Sequence, residues 1–263
     1  MARRILIASG KGGVGKTTIS AGLGEMLSTF GASVCVIDFD FGLNNLDLAL
    51  GVESRVVYDL GDYLNGRCKL RQALTQVSVK NNFYFLSTNK MSVETCDEEQ
   101  IKDAIAKISV IFDYIIFDCS AGLSQAFRLG VSLASEVLIV VCPSVFSLKD
   151  ASVIKSFLLT QNRKDLGVII NRIRGDLVAC GQMLNEKQIE RVVEMPIVGI
   201  IPESDGYLTN GNLVSVCESA EPIYLAMKTL AQNIMFGKNL KFDYLAKYRG
   251  VIGRLRAKIK KGA

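Results

Sequence analysis

Nine residues near the start of the chain, Gly10-Lys11-Gly12-Gly13-Val14-Gly15-Lys16-Thr17-Thr18, hold four glycines and two lysines. The segment satisfies GxxxxGK[ST], a phosphate-binding loop, and each residue type has a task there. Glycines let backbone N–H groups turn inward as an anion nest at a helix N-terminus. Lys16 reaches the β- and γ-phosphates, and the Thr17 hydroxyl ligates Mg²⁺. Gly10, Gly12 and Gly15 also satisfy GxGxxG, and Asp38 falls about where a dinucleotide fold keeps its ribose carboxylate. Lys16 and Thr17 favour a triphosphate, because a dinucleotide pyrophosphate needs neither a lysine nor a metal-binding hydroxyl. A glycine turn with no ligand is the weakest reading, since so many glycines are entropically costly in a purely structural turn. Lys11 starts the loop, where its side chain need not touch its own nucleotide. A second cation there can serve a neighbouring subunit's γ-phosphate; a solvated surface lysine is the ordinary alternative.

Two carboxylates follow the next strand, in Asp38-Phe39-Asp40. Ligands in open α/β sheets bind beyond the carboxyl ends of strands. One acid can position or deprotonate an attacking water while the other holds Mg²⁺ through a water; each alone is equally a cap or turn residue. Tyr114-Ile115-Ile116-Phe117-Asp118 is an apolar run ending in an acid, the Walker B pattern whose carboxylate serves Mg²⁺. Gly122 lets the backbone approach a γ-phosphate closely. Asn89-Lys90-Met91-Ser92 lacks the Asp of a guanine-reading NKxD. Asn171, followed by Arg172, ends a later strand, and its amide can read the adenine edge. A strand-terminal cap is the alternative.

The elements that must hold these residues alternate. Strands are expected at Ile5–Ala8, Ser33–Asp38, Phe83–Leu86, Tyr114–Asp118, Val137–Cys142, Val168–Asn171 and Ile197–Ile201. Helices are expected at Lys16–Thr29, Glu98–Ile108, Ala121–Ser132, Leu148–Gln161, Asn185–Val193 and Ala220–Phe236. Several strands are apolar on both faces, as in a parallel sheet covered on each side. The expected fold is one α/β domain, doubly wound, with a mainly parallel sheet flanked by helices. With 263 residues, 49% of them hydrophobic, the chain can bury a sizeable core. Histidine is absent, which removes histidine triads, histidine zinc sites and imidazole catalysis. Seven cysteines without a CxxC spacing read as reduced cytosolic thiols. The longest apolar run, Val137 to Cys142, is far below the roughly 20 residues a bilayer requires, and no apolar signal segment follows Met1.

Charge is uneven. Residues 241–263 carry +7 of a net +5, so the preceding 240 residues carry −2. The expected organisation is a P-loop domain over 1–240 and a basic amphipathic tail over 241–263. Leu245, Tyr248, Ile252, Leu255 and Ile259 are spaced three, four, three and four apart, one helical stripe. Gly250 and Gly253 each cost up to about 1 kcal/mol in a helix. So short a segment folds poorly in water and folds well on a bilayer that accepts the stripe. Each basic residue adds about 1 kcal/mol near anionic lipid, and two tails on a dimer gain avidity. An apolar stripe has no use in a nucleic-acid arm, so no nucleic-acid partner is expected.

Together these residues resemble the deviant Walker A ATPases of the ParA/MinD group. Lys11 to Thr17 matches KGGVGKT. Asp38-Phe39-Asp40 with Gly42-Leu43 and Asn45-Leu46-Asp47, and Arg55-Val56-Val57-Tyr58-Asp59, are similar to the MinD branch. The resemblance runs on through Asp118, Asn171-Arg172 and Ile201-Pro202-Glu203 to the tail. It implies a P-loop ATPase using ATP and Mg²⁺ that forms a homodimer around two sandwiched ATPs. By the same resemblance Lys11 reaches across the dimer, Asp40 activates water, and Pro202 and Glu203 lie near the adenine. It implies a cytoplasmic protein, peripheral on the inner face of the cell membrane, that helps place the division septum. Its partners would be a MinC-like division inhibitor and a MinE-like or other topological regulator. A flagellar-placement (FlhG-like) ATPase and a ParA-like DNA-partition ATPase are the alternatives. Ser120 stands where the group usually has proline.

Overall fold

The computed structural model describes residues 2–40, 45–88, 97–204 and 221–249. Strand β1 (Arg3–Ala8) leads through the glycine loop into helix α1 (Lys16–Thr29) and then β2 (Val34–Phe39). Short helices α2 (Leu46–Leu50), α3 (Leu60–Leu64) and α4 (Leu70–Ala73) precede β3 (Leu74–Ser78) and β4 (Phe83–Leu86). Next come α5 (Glu98–Ile111), β5 (Tyr114–Cys119), α6 (Gln125–Leu133), β6 (Glu136–Val141), α7 (Val145–Thr160) and β7 (Leu166–Ile173). Helices α8 (Gly175–Ala179) and α9 (Glu186–Val193), strand β8 (Ile197–Pro202) and helix α10 (Pro222–Phe236) complete the described α-helices and strands. They build one eight-stranded sheet in the order β3-β4-β2-β5-β1-β6-β7-β8. The β3–β4 pair is antiparallel; the pairs from β4 to β8 are parallel. The expected fold class is the observed one.

Successive side chains on a strand face opposite ways, and here both faces are buried. Ile5, Ile7, Val34, Val36 and Ile116 join the layer containing α1 and α10. Leu6, Ala8, Cys35, Ile37, Ile115 and Phe117 join the layer containing α5, α6 and α7. That two-sided burial explains the unbroken apolar runs. The same alternation carries Asp38, two residues past Val36, and Asp118, two past Ile116, onto the α1 face. Their strands are neighbours, and Asp38 and Asp118 are register partners.

Helix α1 lies very close to the sheet. A Cβ on Gly24 would come within 2.7 Å of both the Phe83 ring and a Val36 methyl.

Several elements differ from expectation, and three of the differences have a plain physical cause. β3 was not expected; it is a half-exposed edge strand of mixed polarity, paired only with β4, so it lacks an apolar run. Helix α6 starts at Gln125 rather than Ala121 because the Ser124 hydroxyl accepts the Phe127 N–H as an N-cap. Helix α7 starts at Val145 rather than Leu148, because Ser144 caps Ser147 in the same way.

Packing on the body also continues past residue 240. The Asn233 amide donates to the Leu240 carbonyl and accepts the Leu240 N–H, both at 2.8 Å. Phe242 and Leu245 pack on the core, and the buried Tyr244 donates its hydroxyl to Glu186. Ala246–Tyr248 is a single 3₁₀ turn. It lies against Gly175, where a Cβ would collide with the Tyr244 carbonyl oxygen and the Tyr248 ring.

On an exposed helix, Gly→Ala gains up to about 1 kcal/mol. Gly24→Ala should reverse that sign and destabilise by roughly 1–3 kcal/mol through overpacking against Phe83 and Val36. Urea unfolding of the two proteins measures it.

Candidate nucleotide-binding site

The loop leaves β1 at Ser9, whose hydroxyl donates to the Lys11 carbonyl at 2.7 Å. Gly13 (φ +76°) and Gly15 (φ +94°) occupy the left-handed region that favours glycine. Lys11, Gly12 and Gly13 are exposed, and Val14 is buried. Lys16, Thr17 and Thr18 open α1. That end of the helix has no side-chain cap and no acidic residue in its first turn. Its unpaired N–H groups and positive dipole end are therefore left for an anion.

The carboxylates lie beside this end of α1. Asp118 is buried and accepts from the Ser20 hydroxyl at 2.9 Å; the Thr17 hydroxyl also bonds to it. Burial pushes the Asp118 carboxyl up to about 6, against those bonds and the Lys16 charge. Asp38 is more deeply perturbed. Burial first, and the Asp118 charge second, push it up to about 8, although the Asp40 and Leu46 N–H groups donate to it. Asp40, just beyond β2 and half-buried, is raised by burial and lowered by Lys16. The Lys16 ammonium thus acts on both Asp40 and Asp118. An acidic group that burial holds partly protonated suits a divalent cation, whose charge would favour the ionised form. Among the described residues, no three or more Cys, Asp or Glu side chains form a metal cluster. Thr17, Asp118 and Asp38 are side chains that could hold a cation there together with ligand oxygens.

On the same edge of the sheet, Asn171 is buried near the end of β7, and Arg172 is exposed with φ +58°. Pro202 ends β8. The Glu203 N–H donates to the Ile173 carbonyl at 3.1 Å, tying the two strand ends together. Arg172, Glu203 and Lys11 all act electrostatically on Cys142, which burial raises. A cavity of about 570 Å³ adjoins this end, lined in part by Pro202, Glu203, Arg174, Asp176, Tyr244 and Tyr248.

The structure therefore gathers Gly10 to Thr18, Asp38, Asp40 and Asp118 at one end of the sheet, with Asn171, Arg172, Pro202 and Glu203 beside them. Of the expected membrane stripe, Leu245 and Tyr248 are half-buried on the body. Ile252, Leu255 and Ile259 lie outside the described residues, as do Gly42 and Leu43. The sequence reading missed Ser20, Thr88, Cys142 and Asp150. Ser20 had a signal, since it stands i+3 from Thr17 on α1. Thr88 donates to the Asp38 carbonyl at 2.7 Å, and Asp150 packs on Gly10, whose Cβ would lie 2.5 Å away. Both contacts are tertiary and leave no local signal. In place of a proline, Ser120 pairs its hydroxyl with that of the α6 cap Ser124 at 2.7 Å. The Gly122 N–H donates to Ser9 at 2.9 Å, holding this segment against β1.

Residues 5–211 match the family model of the CobQ/CobB/MinD/ParA nucleotide binding domain. The chain belongs to the ParA/MinD family. It is a P-loop ATPase of that family, with the deviant Walker A loop at Lys11 to Thr17. The septum site-determining protein MinD of Thermotoga maritima is 35% identical over 100% of both chains. A chain of the MinC:MinD cell division protein complex from Aquifex aeolicus superposes with a TM-score of 0.83 at 34% identity, covering 91% of this chain and 97% of that one. The MinD of Pyrococcus horikoshii, solved with Mg-ADP, gives a TM-score of 0.77 at 27% identity, covering 89% and 96%.

The raised Asp38 carboxyl makes a directional prediction for the protein free of nucleotide and cation. The folded state holds a proton up to about pH 8, whereas the unfolded chain loses it near the ordinary carboxylate value of 3.8. The folded state then binds more protons, so stability falls as pH rises through this window, by at most about 1.4 kcal/mol per pH unit for one proton. Asp38→Asn should flatten that part of the curve in thermal melts at several pH values. An unchanged slope would remove the buried-acid reading.

Proposed function

We propose that this ATPase binds Mg²⁺–ATP at the loop, dimerises with ATP bound, and uses the dimer to hold a membrane surface and help place the division septum. One observation carries the reading: the uncapped start of α1 lies beside a buried acid pair, with an exposed Lys11 at the loop's outer end. Gly10, Gly12, Gly13, Val14, Gly15 and Thr18 form the cradle, and Lys16 neutralises the β- and γ-phosphates. Thr17, Asp118 and Asp38 hold the Mg²⁺, which supplies charge stabilisation of the phosphates when bound. Asp40, poised at the mouth and less buried than Asp38, orients the attacking water. Lys11 serves the γ-phosphate of the second copy. Asn171, Arg172, Pro202 and Glu203 border the adenine. The Mg-ADP complex of the Pyrococcus horikoshii relative supports this choice of ligands.

The membrane contact belongs to the basic tail. Leu245 and Tyr248 are committed to the body, so Ile252, Leu255 and Ile259 carry the apolar contact. The expected location is cytoplasmic, peripheral on the inner face of the cell membrane. No helix of the described residues is long and apolar enough to cross a membrane. A MinC-like division inhibitor is the proposed partner, supported by the Aquifex aeolicus MinC:MinD complex. A MinE-like or other topological regulator would stimulate hydrolysis.

Co-sedimentation with anionic liposomes under ATP, ADP or no nucleotide tests the switch. The full chain should pellet with ATP and remain in solution otherwise. A chain ending at Arg249 should keep its melting temperature and lose pelleting, whereas one ending at Asn239 should also melt lower, because Phe242 and Tyr244 leave the core. Lys16→Ala and Lys11→Ala should both abolish ATP-dependent pelleting. Pelleting that ignores nucleotide would defeat the switch, and ATP-dependent retention on DNA instead would favour a partition ATPase.

A further inference from the structure

Asn171 has a second task that the adenine reading leaves out. Its side chain is buried, 4% exposed, and Nδ2 donates to the Val14 carbonyl oxygen at 2.8 Å. The Cys142 thiol, just past β6, lies 3.9 Å from the same oxygen. Gly15 lies directly over the Asn171 amide, where a Cβ would collide with Nδ2. Nothing larger than glycine fits between this amide and the loop.

The described chain contains no cis peptide bond. In a planar trans peptide, the C=O and the following N–H point in opposite directions. A Val14 carbonyl drawn down onto the sheet therefore turns the Gly15 N–H away from Asn171, outward to the mouth of the loop. There it joins the free N–H groups at the start of α1. The tie matters because Gly13 and Gly15 border this segment, and glycine tolerates both orientations of a neighbouring peptide.

We propose that Asn171 is a positioning residue of the phosphate loop, holding the Val14–Gly15 peptide in its anion-binding orientation before any nucleotide arrives. The proposal deepens the nucleotide-binding reading and rests on it. Base reading and loop holding are separable. A base reader changes which nucleotide is preferred, whereas a loop holder changes how firmly any phosphate is held.

Asn171→Leu keeps the volume and removes the donor; Asn171→Asp keeps the shape and sets an oxygen against the carbonyl. Calorimetry compares their affinities for ADP, GDP and pyrophosphate, each with Mg²⁺. All three ligands should weaken by a similar factor, roughly ten- to a hundredfold, the scale of one lost buried hydrogen bond. The loss on pyrophosphate, which carries no base, is what loop holding alone predicts. Intact pyrophosphate affinity with a collapsed ADP:GDP ratio would overturn the proposal, and so would affinities that do not change. A wild-type protein that binds neither ADP nor pyrophosphate would fail the nucleotide-binding reading instead. Solvent exchange of the wild-type Asn171 side-chain amide, followed by NMR without ligand, decides the proposal even if neither variant folds. Protection supports the tie, and exchange as fast as that of an exposed asparagine overturns it.

Discussion

Two carboxylates buried side by side on neighbouring parallel strands are the constraint around which this fold is organised. Asp38 and Asp118 face the same helix, in register, away from water. Burial and mutual repulsion favour keeping a proton on at least one of them. Nothing in ordinary core packing calls for such a pair. The surroundings soften it with the Ser20 and Thr17 hydroxyls, two backbone N–H groups on Asp38, and the Lys16 charge. Stability is thus held back at the place where a cation and a phosphate chain complete the charge balance. Strained or electrostatically costly groups that persist in a well-packed core are a mark of functional sites.

The anion side of the site is built by subtraction. Helix α1 begins with no capping side chain and no acid, so its N–H groups and dipole are open to something negative in the loop. The loop is shaped from below, by Asn171 and Cys142 under Val14 and by Asp150 against Gly10. The Ser20 and Thr17 hydroxyls, both on α1 and both bonded to Asp118, set this anion end beside the acids. Cation and anion partners are therefore prepared on rigid elements, α1 and the ends of β1, β2 and β5, rather than on long loops.

Much of this was legible in the sequence because the decisive signals are local. Gly10 to Thr18 states its chemistry by spacing, and Asp38 and Asp118 declare themselves by ending apolar runs. Two-sided burial made the central strands easy to see. The half-exposed edge strand Leu74–Ser78, of mixed polarity, carried no such signal. Helix starts were misplaced where Ser124 and Ser144, one residue before the first helical one, decide the boundary. The second task of Asn171 was hidden because its partner, Val14, is 157 positions away. The tail shows the converse. Leu245 and Tyr248 fit the helical stripe by spacing, yet both rest on the body, since periodicity does not say which surface an apolar residue meets.

The most direct measurement of the acid pair is a count of protons when Mg²⁺–ADP binds, by calorimetry at about pH 7 in buffers of different ionisation enthalpy. If the buried carboxylates hold a proton until a cation arrives, binding releases roughly one proton, and Asp38→Asn releases fewer. Binding with no release, or with proton uptake, would contradict the picture of an acid pair waiting for a cation.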